Sequence, residues 1–432
     1  MKINLHDNIV ITINMFTFYL VITCLSFLVM LVAFMCQTAG IIFSLVGFVF
    51  ILLWSSGVLT TLGTLHVLTN AGPITIVALF VITQALLETG VISQIKLLVI
   101  RVAHRHKRLG IGLAFGVVFV LSAFLNNTPI VFIMAPVMVS LAREEGYHGA
   151  YFLLPLSYVA ILGGVTTLIG SSTNIIANDV AVQAGWAGFH LFSLTIPALI
   201  MALIGCLYLG TIGKYFLPQE HRANNQLLQA APFYYFHWQK ALITGVILIL
   251  VVGLAALQVA SIMYLAVCGM FAVLLLRCVS LKSAIQCIHW DLIALIFGMI
   301  AVSYGFNTLG LIKLFAMGIA TPFIQAHPVV LFAIIFAISS LLTEFLTNNA
   351  VAIFISLFAV DLARQIGIDP TPFVAAVIFG ASASFATPVG YQTNTYIKSL
   401  AGYGYKEFII AGLPMNLLMG FAATGIAYFY WF

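Results

Sequence analysis

Most of the chain is a succession of long apolar runs separated by short polar breaks. Crossing a bilayer as a helix takes about 20 mostly apolar residues. Runs of that kind lie near 16–36, 39–59, 72–90, 150–184, 187–213, 238–257, 260–277, 290–309, 370–398 and 407–431. Two further blocks, 110–142 and 326–363, break the pattern with polar centres: LSAFLNNTPIVF at 121–132 and LTEFLTNNAVAIF at 342–354. A turn inside a bilayer exposes backbone that only protein or water can satisfy. Each block therefore reads as a helical hairpin that enters and returns on one side. The pattern predicts an all-α polytopic membrane protein.

The runs repeat. SLAREEG at 140–146 answers AVDLARQIG at 359–367, LETG ending at Gly90 answers NTLG ending at Gly310, and TLIGSSTN at 167–174 answers TPVGYQTN at 387–394. The asparagine motifs match in the same register, Asn127 with Asn348. The repetition divides the chain into residues 1–215 and 238–432, joined by a cytoplasmic linker at 216–237. Each half holds about five spans and one hairpin, and an odd number of spans inverts the second half. Inverted repeats are a common plan of secondary transporters, with the site near the midplane between halves.

Composition agrees: 63% of the 432 residues are hydrophobic and 6% charged, against about a quarter charged in a soluble domain. The net charge of +5 reflects topology and gives no reason to expect a nucleic-acid partner. With the N-terminus outside, 13 of the 16 Lys and Arg residues fall on the cytoplasmic side, including the cluster at 104–108, as the positive-inside rule requires. Lys2, Lys313 and Arg364 are the three outside. The first apolar stretch lacks a small-residue cleavage site, so no cleavable signal is expected. Six cysteines lie in or beside apolar stretches without paired spacing, which favours small buried hydrophobes over metal ligands or disulfides.

The polar motifs carry the chemistry. Asn126, Asn127 and Thr128 mark one hairpin tip; Thr347, Asn348 and Asn349 mark the other. A tip ends one helix and begins another, so it offers free carbonyls and free N–H groups together. Sodium takes oxygen ligands, an oxyanion takes N–H and hydroxyl donors, and asparagine supplies both kinds of group. The segments Gly170–Asn174 and Gly390–Asn394 lie mid-span and read as unwound helix. Ser122 and Thr343 each stand five residues before a central asparagine. Such residues also serve as interhelical hydrogen bonds worth about 0.6–2 kcal/mol; four motifs in two register-matched pairs favour a site. None of the four contains Lys or Arg, so cations and helix N-termini must balance a bound anion. Glu88 and Glu344 are the acids nearest the interior, and Asp179 is expected to be solvated near the end of its span.

FLNNTP, the glycine–serine–threonine–asparagine segment, LTNNA and ATPVGYQTN together resemble the divalent-anion/sodium symporters. These belong to the wider ion-transporter superfamily with its citrate-transporter-like permeases, and the likeness is to a bacterial sulfate-permease-like branch. The resemblance covers nearly the whole chain. It implies an elevator-type homodimer in the bacterial inner membrane. Scaffold helices would occupy 16–108 and 238–310, and hairpin and transport helices 110–214 and 318–432. It also implies sodium ligands from Ser122, Asn126, Asn127 and the Gly170 carbonyl at one site. Thr343, Asn348 and the carbonyls of Leu346 and Gly390 would form the other. Asn127, Thr128, Ser171, Thr347, Asn348, Asn349, Tyr391 and Gln392 would contact substrate. The tips read Asn-Asn-Thr and Thr-Asn-Asn, where better-studied members carry Ser-Asn-Thr twice, which leaves the choice between sulfate and dicarboxylate open. The 216–237 linker has no room for the TrkA C-terminal domains of close relatives, and one N-terminal span of the better-studied symporters is not expected.

The expectation is thus sodium-coupled symport of a small divalent anion, without a cofactor beyond the coupling ions. A proton-coupled permease, or a sodium/proton or arsenite exporter, is the alternative within transport. A non-transporting membrane scaffold or sensor is the alternative outside it. An enzyme is not expected: no nucleophile–base pair, metal spacing or phosphate loop is present.

Overall fold

The computed structural model describes residues 5–35, 38–218, 224, 235–311 and 327–432. Lys2, Cys36, Arg222, Lys313, most of the 216–237 linker and the stretch 318–326 lie outside the described residues. Most of those described are helical, with no strand among them. The helices are α1 (Leu5–Met35), α2 (Ala39–Ser55), α3 (Thr61–Leu68), α4 (Ala71–Glu88) and α5 (Val91–Arg105). They continue as α6 (Lys107–Ser122), α7 (Asn127–Glu144), α8 (Leu153–Gly164), α9 (Ser172–Gln183) and α10 (Thr195–Gly210). After the linker come α11 (Trp238–Ala256), α12 (Ile262–Leu275), α13 (Leu281–Gln286) and α14 (Trp290–Thr308). The last are α15 (Pro328–Thr343), α16 (Asn348–Gln365), α17 (Thr371–Ser382), α18 (Gln392–Ala401) and α19 (Tyr405–Tyr430).

Five helical stretches among the described residues are long and apolar enough to cross a membrane: Met15–Ala33, Thr61–Glu88, Trp238–Ala256, Trp290–Thr308 and Tyr405–Tyr430. The expected spans at 39–59, 187–213 and 260–277 contain shorter helices, Ala39–Ser55, Thr195–Gly210 and Ile262–Leu275. The expected spans at 150–184 and 370–398 are each two helices, with non-helical backbone at 165–171 and 383–391.

Helix α19 shows why the sequence lacks ordinary amphipathicity. Past its first turn its buried positions Ala411, Gly412, Met415, Met419, Ala423 and Ala427 are small or pliable, and its exposed positions include Leu413, Leu417 and Phe421. Both faces are apolar; the difference is size. That is how a helix packs when its outer face meets lipid.

Helix bounds recur along the chain. Those of α6 and α7 (107–122, 127–144) return 221 positions later in α15 and α16 (328–343, 348–365). Gly146 and Gly367, which close the two matched arginine motifs, follow α7 and α16 with φ of 81° and 71°. A left-handed residue after the last turn ends a helix, and glycine takes that conformation without strain.

Packing crosses the linker. Helix α2 packs on α14, and α12 packs on α4. Gly298 on α14 leaves so little room that a Cβ would stand 2.7 Å from Met30 Sδ of α1 and 3.3 Å from Val46 Cγ1 of α2, and one on Gly269 of α12 would stand 3.0 Å from Ile82 Cδ1 of α4. A second group joins α6 to α8, α15 to α17, α9 to α16 and α10 to α19. Contacts of α4 with α9 and of α14 with α16 connect the groups. Asp179 corrects an expectation: it is half-buried on α9, accepting from Gln183 Nε2 at 3.0 Å, and its carboxylate lies against the start of α4, where a Cβ on Gly72 would stand 3.2 Å from its Oδ2. An acid at a helix N-terminus is favoured by the dipole, which lets the carboxylate leave open solvent.

Candidate ion and anion site

The polar motifs sit where helices begin. Asn126 caps α7, its Oδ1 accepting from the Thr128 N–H at 3.2 Å. Ser171 caps α9 through the Thr173 N–H at 3.3 Å. Thr347 caps α16 through the Ala350 N–H at 3.4 Å, and Tyr391 holds the same position before α18. These four helix starts meet. Asn127 Nδ2 donates to the Tyr391 hydroxyl at 2.8 Å, and Ser171 Oγ lies 3.1 Å from that hydroxyl. Thr128 Oγ1 donates to Gln392 Oε1 at 3.3 Å. Asn349 Oδ1 accepts from Ser172 Oγ at 3.1 Å and Thr173 Oγ1 at 3.3 Å. Each N-terminus carries free N–H groups and roughly half a positive charge. Four of them around one point make a field suited to an anion.

Helices also end there, and their ends are rich in oxygen. A Cβ on Gly170 would lie 2.8 Å from the carbonyl oxygens of both Ser122 and Ala123 and 2.5 Å from that of Gly164. The C-termini of α6 and α8 thus converge on Gly170. Asn127 is packed on Gly164, where a Cβ would meet its Nδ2 at 2.6 Å. Ser122 Oγ, Asn127 Oδ1 and Asn174 Oδ1 are buried with no hydrogen-bond partner. Orphaned buried acceptors are costly, and several together among carbonyls are the donor set a hard cation takes. In the other half, a Cβ on Gly390 would run into the Thr343 carbonyl and Ser384 Oγ. Thr343 Oγ1 donates to the Ala381 carbonyl at 3.1 Å. Asn348 donates its N–H to the Gly390 carbonyl at 3.4 Å, and its Oδ1 accepts from the Asn349 N–H at 2.9 Å. Leu346 lies in this second tip, its N–H on the Leu342 carbonyl at 2.9 Å.

The breaks are held by matched bonds. Asn174 Nδ2 donates to the carbonyls of Gly164 (2.9 Å) and Thr167 (2.8 Å). Asn394 Nδ2 does the same to Ser384 (2.7 Å) and Thr387 (3.1 Å). The segments Ser172–Asn174 and Gln392–Asn394, expected to be unwound, are first helical turns; the non-helical backbone lies before them. Ser171 restarts α9 at once through its cap bond, and α18 begins after Tyr391 without one. Three contributors were not singled out in the sequence. Ser172 and Thr173 lay inside a recognised motif. Ser157, in the apolar run PLSYVA, lies 2.7 Å from Thr393 Oγ1 and 2.6 Å from Asn394 Oδ1. A lone serine there gives no local signal.

Beside Asn126 lies a cavity of about 250 Å³, lined also by Thr83, Gln84, Pro129, Cys287 and His289. It separates a hairpin tip from α4 and the start of α14.

Residues 8–377 match the citrate transporter family, CitMHS. The chain belongs to that family. It is therefore a multi-pass membrane transporter. The chain is similar to an uncharacterised transporter of Synechocystis, at 21% identity covering 82% of this chain and 88% of that protein. An uncharacterised transporter of Methanocaldococcus jannaschii is 28% identical over 71% of this chain and 70% of its own length. Sodium/sulfate cotransporter 1 of Chlamydomonas reinhardtii is 33% identical over 34% of this chain and 18% of that protein. Among solved structures, the YdaH transporter of Alcanivorax borkumensis superposes with a TM-score of 0.61 at 16% identity, covering 86% of this chain and 90% of that one. That likeness shows the fold.

Proposed function

We propose that the protein is a sodium-coupled symporter of a small divalent anion, sulfate ahead of dicarboxylates. The observation that carries this is the meeting of four helix N-termini beside clustered carbonyl and side-chain oxygens, with no Lys or Arg in the motifs that form them. N–H groups and helix dipoles favour the anion, and oxygens at helix C-termini favour the cation. Asn127 serves both, its Nδ2 facing the centre and its Oδ1 unpartnered. In this reading Ser122, Asn126, Asn127 and Gly170 hold one sodium, and Thr343, Leu346, Asn348 and Gly390 the other. Substrate meets Asn127, Thr128, Ser171, Thr347, Asn348, Asn349, Tyr391 and Gln392. The Chlamydomonas sodium/sulfate cotransporters, at 32–33% identity over about a third of the chain, support sulfate.

The same reading takes 1–215 and 238–432 as inverted repeats with re-entrant hairpins. Recurring helix bounds and matched bonds at Asn174 and Asn394 support it. The group α1–α5 with α11–α14 serves as scaffold, and the helices from α6 to α10 and from α15 to α19 as the moving part. The working unit is a homodimer in the bacterial inner membrane, with the 104–108 cluster cytoplasmic.

If sodium and anion share Asn127 and Asn348, each raises the other's affinity, since linkage is reciprocal. Calorimetric titration of sulfate and of succinate at several sodium concentrations, choline replacing sodium, tests this. Affinity should fall steeply without sodium, and potassium should substitute poorly. Anion affinity indifferent to sodium would sink the reading.

A further inference from the structure

Three helix ends meet away from the polar motifs. Helix α4 ends at Glu88, α11 begins at Trp238 and α12 ends at Leu275. The His237 N–H donates to the Thr89 carbonyl at 3.1 Å, and Cys278 Sγ reaches the Lys240 carbonyl at 3.9 Å. Beside these ties lies a cavity of about 560 Å³, within the range of roughly 300–1,000 Å³ common for small-molecule sites. Its walls include Glu88, Lys240 and Arg277 together with Phe271, Leu274 and Leu275, and it shares no residue with the cavity beside Asn126.

Both cations stand where local rules disfavour them. Lys240 is the third residue of α11, and the first turn of a helix favours acids and repels bases. Arg277 has a φ of 51°. Its N–H bonds to the Leu274 carbonyl at 3.0 Å, and the Cys278 N–H bonds to the Val273 carbonyl at 2.9 Å. Gly146 and Gly367 end α7 and α16 in the same way, and glycine is the unstrained choice for that position. Neither the Lys240 ammonium nor the Arg277 guanidinium has a hydrogen-bond or ion-pair partner among the described residues. Glu88, half-buried, is engaged instead by Gln84 Nε2 at 3.1 Å. Two cations placed against local preference at one cavity mark a position kept for something other than helix stability.

The apolar wall says what that is. Phe271, Leu274 and Leu275 share one face of α12 at i, i+3 and i+4, and Phe271 is 54% and Leu275 80% exposed. Arg277 follows them at the helix end, so the cleft grades from apolar surface to positive charge along the helix. Trp238, exposed at the start of α11, sits at the level where tryptophan marks a membrane interface. A free phosphate or sulfate would use the cations alone; a phospholipid uses both parts of the cleft. Two bases and one acid leave a net charge of the sign that recruits anionic headgroups. We propose that this cavity binds an anionic phospholipid of the phosphatidylglycerol type, its phosphate on Lys240 and Arg277 and an acyl chain along Phe271, Leu274 and Leu275. The lipid fastens the end of α4, from the first half, to α11 and α12 from the second. The site is independent of which anion or coupling ion the protein carries.

Native mass spectrometry of the purified full-length protein, titrated with dioctanoyl phosphatidylglycerol, counts bound lipid and gives its affinity. Wild type should hold one such lipid per chain more tightly than any other. Lys240→Gln and Arg277→Gly should each weaken that lipid about fivefold, and the two together about 25-fold. Glu88→Gln removes a repelling charge and should tighten it about fivefold. Arg277→Gly also relieves the left-handed backbone, so its melting temperature without lipid should hold or rise, which separates lost binding from lost folding. Lys214→Gln, the same change of charge away from the cavity, should bind as wild type does. Wild-type affinity in the double variant, or equal affinity for phosphatidylcholine, overturns the site. Inorganic phosphate or deacylated glycerophosphoglycerol binding as tightly as the lipid overturns the lipid and leaves a soluble anion in its place.

Discussion

Gly170→Ala places a methyl group against three backbone carbonyls. Its Cβ would stand 2.8 Å from the oxygens of Ser122 and Ala123 and 2.5 Å from that of Gly164. A relaxed carbon–oxygen contact is about 3.3 Å, so the cage must open by roughly 0.5–0.8 Å. None of the three oxygens belongs to a side chain that could swing aside. Overpacking of this kind costs about 1–3 kcal/mol. If the strain falls on the cation-bound arrangement, half-saturating sodium rises about 5- to 150-fold. Gly116→Ala is the control: it lies on α6, the helix that ends in the Ser122 carbonyl, exposed, with nothing within 4 Å of a new Cβ. Sodium activation curves for labelled sulfate uptake in proteoliposomes, with melting temperatures of each purified variant, give the comparison. The Gly116 variant should be indistinguishable from wild type. A Gly170 variant that folds and keeps the wild-type sodium requirement refutes the cation cage.

Asn127→Ala and Asn348→Ala should each abolish transport while expression and melting stay near normal, because each removes an anion donor and a cation ligand; normal transport from poorly folded variants would favour a purely interhelical role. A protein retaining Cys287 as its single cysteine should react with small thiol reagents through the cavity beside Asn126, and substrate should slow labelling, measured by mass shift over time. Labelling unaffected by sulfate or succinate would separate that cavity from the substrate path.

The helical class and the helix break at each polar motif were legible because a membrane removes ambiguity: an apolar run of sufficient length reads as helix, and a polar centre within one reads as an interruption. The tip residues Asn127 and Thr128 do reach Tyr391 and Gln392 in the other half, bonds spanning 264 positions. Their register was visible because the motifs repeat. Ser157 was not visible, since it is a single polar residue in an apolar run whose partners are distant in sequence. Depth misled at Asp179, because distance from the span centre says nothing of the neighbouring helix start that receives its carboxylate. The arginine-motif repeat has a plain cause, the glycine that ends α7 and α16. The repeat at Thr167 and Thr387 instead follows the bonds that tie each break to its hairpin, Thr167 Oγ1 donating to the Ala123 carbonyl and Thr387 Oγ1 to the Glu344 carbonyl.

The exchange of α2 onto α14 and of α12 onto α4 has a consequence for biogenesis. When α4 leaves the ribosome, its partner α12 is still roughly 170–200 residues away, about 10–40 s at ordinary elongation rates. Lipid is an adequate temporary neighbour for the apolar face of α4, since hydrocarbon solvates it as well as another helix does. Asn174 can wait too, because the carbonyls it needs, on Gly164 and Thr167, arrive with it. Asn127 and Ser157 cannot, for their partners Tyr391, Thr393 and Asn394 are among the last residues made. Until then the nascent first half holds these side chains unsatisfied in its interior, together with Thr173, whose partner Asn349 is also still to come. Water or the insertion machinery must shelter them, and a stall between the halves exposes the chain to quality-control proteases at this point.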